Sequence, residues 1–168
     1  MSKKTVTVIV IASILAVAIT LLHYIPIPKD VSFSMDGSIR SADGDVIKPC
    51  TMTYNGNEVY FIFQNKRNEL RGKLYLIDES RTIYSYMALY FDPLPNSPDT
   101  PGGKLNFATG KLYRGEALGF FPCSVYFTDD RSTYIILYSG KIYCVSSLSE
   151  AEFMEVFRAV GQHAEFAG

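Results

Sequence analysis

Only two histidines occur in the 168 residues, His23 and His163, and they lie near opposite ends of the chain. A Ser-His-Asp or Cys-His arrangement needs an imidazole base inside the fold, so the long stretch between them lacks that chemistry. Cys50, Cys123 and Cys144 contain no C-x-x-C pair, which removes the usual zinc-ligand spacing. Neither G-x-x-x-x-G-K-S/T nor G-x-S-x-G is present. Asp36, Asp43 and Asp45 crowd one turn-rich stretch without the order of acids, glycine and terminal Glu of an EF-hand, and solvated turn carboxylates account for them. These observations point to no catalytic residue, no metal site and no cofactor. Paired carboxylates stay open, because they meet in space and not in sequence.

Two groups of residues suit binding. Tyr75, Tyr84, Tyr86 and Tyr90 flank the turn Asp78-Glu79-Ser80. If Ile77 faces Thr82, then Tyr75 faces Tyr84, Lys73 faces Tyr86, and the tyrosines share one face. A tyrosine row offers stacking area with polar tips, although the half-buried side of any sheet looks the same. Lys66, Arg67, Arg71 and Lys73 fall in a polar stretch, 64–73, that reads as a basic hairpin loop. Such a loop suits anionic headgroups or phosphate, or is simply a solvated hairpin end.

The elements that hold these residues are mostly strands. Asn55-Gly56 fits a type I′ hairpin turn between 50–54 and 57–63, since both positions tolerate positive φ. Residues 92–104, DPLPNSPDTPGGK, form one long loop. Beyond it, short strands recur with turns at Asp129-Asp130 and Ser139-Gly140, the spacing of an antiparallel meander. With Tyr138 facing Lys141, Cys123 and Cys144 stand two strands apart, too far for a disulfide. The chain ends in a helix at about 149–160: Ser147 with Glu150, or Ser149 with Glu152, makes a capping box, Phe153, Val156, Phe157 and Val160 make one stripe, and Gly161 supplies the stop.

Thr5 to Pro28 carries no Lys, Arg, Asp or Glu. Some 20 such residues at about 1.5 Å each cross a hydrocarbon core of about 30 Å. Pro26 and Pro28 end the helix. A cleavable signal with a site at Ala16-Val17-Ala18, or a buried core helix, competes with an uncleaved anchor, but the apolar run continues well past Ala18. Lys3 and Lys4 precede the segment while Lys29 is offset by Asp30, which puts the amino end in the cytoplasm.

The net charge of −1 and pI near 6.1 give no electrostatic reason to expect nucleic acid. The sequence therefore predicts a mainly β protein. An N-terminal transmembrane helix (1–28, a signal anchor) precedes a small antiparallel β domain (29–168), a meander, sandwich- or barrel-like, with a packed C-terminal helix. The expected role is a single-pass, membrane-anchored binding or interaction module. It contacts the membrane through residues 5–28, with another envelope protein as the expected partner, and its domain is extracytoplasmic. It is not read as an enzyme. The alternatives are a cytoplasm-facing lipid-binding domain, PH-like by analogy of architecture alone, and an exported carboxylate-dependent hydrolase.

Overall fold

The computed structural model describes residues 3–22, 25–61, 68–78, 81–113 and 120–164, with side chains described for all of these except 22, 81–88, 90, 92, 110–113 and 120–121. Among the described residues helix α1 (Lys3–Leu22) is followed by eight strands: β1 (Pro26–Arg40), β2 (Val46–Phe61), β3 (Asn68–Asp78), β4 (Arg81–Pro93), β5 (Leu105–Tyr113), β6 (Phe120–Thr128), β7 (Thr133–Tyr138) and β8 (Lys141–Ser146). Helix α2 (Glu150–Gly161) ends the described chain. Each strand pairs antiparallel with the next, and β8 returns to β1, so the meander closes into a barrel. Closure over Gly37–Arg40 removes part of the sheet edge that an open meander would leave to water.

Alternation along the strands builds two apolar layers. In β3, Leu70, Leu74 and Leu76 are buried inside the barrel while Arg71, Lys73 and Ile77 point out. The inner layer also takes Met52, Tyr54, Val125, Phe127, Tyr134 and Tyr143. The cavity bounded there by Met52, Tyr54, Leu70 and Tyr134 measures about 10 Å³, room for one water at most. The outer layer lies between α2 and the β5–β8 wall, where Phe153, Val156, Phe157 and Val160 meet Leu105, Tyr126, Ile135 and Cys144. That wall is apolar on both faces, which is why β7 and β8 read as nearly continuous apolar runs.

Of the two capping boxes the sequence allows, Ser149 with Glu152 forms: Glu152 N–H donates to Ser149 Oγ (3.4 Å) and Ser149 N–H to the Glu152 carboxylate (3.0 Å). Gly161 differs from expectation. It is the last helical residue, and Gln162 caps the helix in right-handed geometry, so no left-handed glycine is used.

Asn55-Gly56 is not a turn. Both residues lie inside β2, Asn55 opposite Ser32 and Lys73, Gly56 opposite Val31 and Gly72. A Cβ at Gly56 would sit 2.2 Å from Arg71 O and 2.6 Å from Gly72 Cα. The glycine therefore serves close approach of two strands in a curved wall, not positive φ. The same holds at Asp36-Gly37, which sequence places in a turn-rich stretch: β1 runs straight through, and a Cβ at Gly37 would meet Cys144 O at 2.0 Å. The true turn follows at Ser41–Asp45, where Gly44 has φ 94°.

One irregularity of closure matters below. β1 pairs with β2 along its whole length, Pro26 to Arg40, but with β8 only over Gly37–Arg40. At about 3.3 Å per residue the 15-residue β1 overhangs the six-residue β7 and β8 by tens of ångströms.

Candidate functional site

Of the sequence-predicted binding residues, Arg71, Lys73 and Tyr75 share one outer face of β3. The register is the one expected: Tyr75 pairs with Tyr84, Lys73 with Tyr86, Ile77 with Thr82. Tyr75 is half-buried, in an outward row with Arg71 and Lys73. The side chains of Tyr84, Tyr86 and Tyr90 lie outside the described residues. So do Lys66 and Arg67. Arg71 and Lys73 are not in a loop, because β3 begins at Asn68; both are exposed, and Arg71 is ion-paired to Glu69 two residues before it. The basic group is thus divided between a strand and the segment before it.

Sequence reasoning missed a cluster at the barrel end where β1 begins. Glu58, 1% exposed, points inward from β2 and accepts a hydrogen bond from Arg131 Nε at 2.5 Å and another from the Tyr60 hydroxyl. Arg131 sits in the β6–β7 turn at φ 64°, a left-handed conformation rare for a side chain of its size. Its guanidinium lies 4.3 Å above the Phe127 ring and 5.8 Å from that of Phe91, and it donates to Thr128 O at 3.0 Å. The turn thereby lays a cation across the open end of the apolar layer. Burial alone would raise the Glu58 pKa, but the hydrogen bonds from Arg131 and Tyr60 and the nearby guanidinium hold it below the usual carboxylate range. Burial, then Glu58, pushes the Tyr60 hydroxyl up to about 12. Towards the other end Asp78, 5% exposed, stands 3.2 Å from Lys48 Nζ and 3.5 Å from Lys141 Nζ. The one available signal was a lone Glu58 at the head of the apolar run Val59-Tyr60-Phe61.

A second place is a cleft of about 250 Å³ on the outer surface, where β1 parts from β8 beside the start of α2. Asp36, Gly37, Ser146 and Glu150 are among its walls. Arg40 closes its floor. The guanidinium is 8% exposed, stacks on Phe153 at 4.6 Å, and donates to both Glu150 oxygens (2.7 and 2.8 Å), Gly44 O (2.9 Å) and Ser38 Oγ (3.0 Å). Glu150 itself is 67% exposed. The contacts of Arg40 with Glu150 and Phe153 join residues more than a hundred positions apart and leave no local pattern.

The three cysteines are free and buried. Cys123 and Cys144 stand two strands apart, as the register argument requires, and the structure adds that Cys123 lines the inner layer and Cys144 the outer one. Burial pushes the Cys50 thiol up to about 11 and those of Cys123 and Cys144 up to about 12, so they are poor nucleophiles. Among the described residues, no three His, Cys, Asp or Glu side chains come together as metal ligands.

The fold defines the class: an N-terminal apolar helix followed by an up-and-down barrel with one helix packed outside. No family matches the chain, and no curated protein or solved structure matches it.

Proposed function

We propose that the chain is a single-pass, membrane-anchored binding module whose barrel is held on the extracytoplasmic side. The observation that carries this is α1. Its window Lys3–Leu21 has a mean hydropathy of 2.3 and none of it is buried. At about 1.5 Å per residue its 20 residues match a hydrocarbon core. The barrel buries its own apolar layers within itself and against α2, so the uncovered apolar surface concentrates on α1. Lys3 and Lys4 before the helix, against a balanced Lys29-Asp30 after it, favour the amino end inside. Binding is preferred to catalysis because Glu58 and Asp78 are each held by cations, and Glu58 is held ionised where a general acid needs its pKa raised.

The test is labelling with a membrane-impermeant maleimide in intact cells. Asp99 is exposed in the 94–104 loop, whereas Ser97 Oγ accepts from Leu105 N–H and should be left alone. The native thiols are buried, so Asp99→Cys adds the one reactive site among the described residues. Labelling without lysis is expected. Labelling only after lysis would place the barrel in the cytoplasm and overturn this reading in favour of contact with cytoplasmic lipid.

A further inference from the structure

The stretch of β1 that β8 leaves uncovered is not uniformly guarded. Edge strands are commonly blocked by proline and lysine, and Pro26, Pro28 and Lys29 do this for the first residues. Val31 to Asp36 carries no such block, and beyond β2 no described strand pairs with it. Along it Val31, Phe33 and Met35 turn towards the barrel interior, Phe33 stacking on Tyr134 at 4.7 Å, while Ser32, Ser34 and Asp36 face out. The cleft described above lies at the fork where the two strands part, with Asp36 and Gly37 on one wall and Ser146 and Glu150 on the other. Its cation is sunk and its anions are not: Arg40 is 8% exposed, Glu150 67%, and the exposed Asp36 accepts from Thr51 Oγ1 (2.9 Å).

We infer that this edge receives an extended segment of a partner protein by strand addition, with a basic side chain seated against Asp36 and Glu150. An antiparallel strand here runs in the direction of β8 and takes up the line that β8 abandons at Ser146. Directly opposed residues share a face. Because Gly37 pairs with Val145, Ser146 already stands opposite Asp36 in that line, so the partner's first, cationic residue lies over the fork with its side chain against Asp36 and Glu150; its second, fourth and sixth meet Met35, Phe33 and Val31 and are apolar; its third and fifth meet Ser34 and Ser32 and are polar. Main-chain bonds supply the affinity and the charge sets the register. A second copy of β1 fits less well. The in-phase antiparallel register centred on Phe33 sets Asp36 against Asp30 of the other copy, and those centred on Ser32 or Ser34 give Asp36 no cation.

This inference rests on reading the chain as an interaction module, and its test is independent of which side of the membrane the barrel occupies. Full-length protein in detergent micelles is followed by hydrogen exchange and mass spectrometry, with the peptide Lys-Val-Thr-Val-Thr-Val added to about 1 mM. The alternate amides of 31–36 that face away from β2 are expected to exchange freely without peptide and to slow at least about tenfold with it. A Glu-headed peptide should bind about three- to fivefold more weakly, and one N-methylated along the bonding edge should give no protection. Amides already protected in the dilute free chain, protection that grows with protein concentration alone, no protection by the Lys-headed peptide, or equal protection by the Glu-headed one would each overturn the inference. Failure here with labelling of Asp99→Cys in intact cells would leave the anchored topology standing without this docking edge.

Discussion

Glu58 and Arg131 are worth most as a pair. A buried charge stripped of its partner costs about 3 kcal/mol or more, because the remaining ion stays desolvated. Glu58→Gln should therefore lower stability by about 3 kcal/mol in urea unfolding, with Arg131 left over the Phe127 ring. The variant should also change the acid limb. The folded pKa of Glu58 lies below its unfolded value, so its contribution is fully present above about pH 4.3 and is lost as pH falls through the lower folded value. Stability measured from pH 6 downward should fall less steeply in Glu58→Gln than in the parent; an unchanged slope would refute the pairing. None of this was legible in the sequence. Glu58 and Arg131 are far apart in the chain, and a carboxylate in an apolar strand does not announce which cation covers it. The thiol geometry was legible, because turn positions alone fix which strands carry Cys123 and Cys144.

Elements fixed by a cap or by the turns at 78–81, 128–133 and 139–140 were read correctly, whereas the strong local signal at Asn55-Gly56 was not, and neither was what closure sets. The β3–β4 and β6–β8 registers follow from tight turns, and α2 from its cap and stripe. Ser149→Ala should cost about 1 kcal/mol, read as a lower melting temperature with the barrel's strand signal retained. Asn-Gly in β2 and Asp-Gly in β1 misled, because a glycine demanded by backbone crowding looks the same in sequence as one demanded by φ. The distinction is testable. Gly37→Ala forces a methyl onto Cys144 O across the only seam joining β1 to β8, and should destabilise by on the order of 3 kcal/mol, with faster amide exchange in residues 37–40 and 142–145 before any other strand.

The whole molecule divides at α1. The helix's apolarity was plain from composition, whereas the barrel's closure depends on β8 finding β1, which no local pattern encodes. Ile14→Arg, near the middle of α1, should weaken membrane insertion by about 3 kcal/mol and release protein into an alkaline carbonate wash, while urea unfolding of the barrel stays as in the parent. Loss of barrel stability in that variant would mean that α1 packs against the barrel.

The seam has a kinetic side. Gly37 and Val145 are partners roughly 100 residues apart, so the contact that makes the sheet a barrel has nearly the longest loop the domain can offer. During synthesis at about 5–20 residues per second, β1 waits on the order of ten seconds for the strand that will cover even part of its edge. For that interval the early strands are an unclosed ribbon, and a chain stopped short of Lys141 would never leave that state.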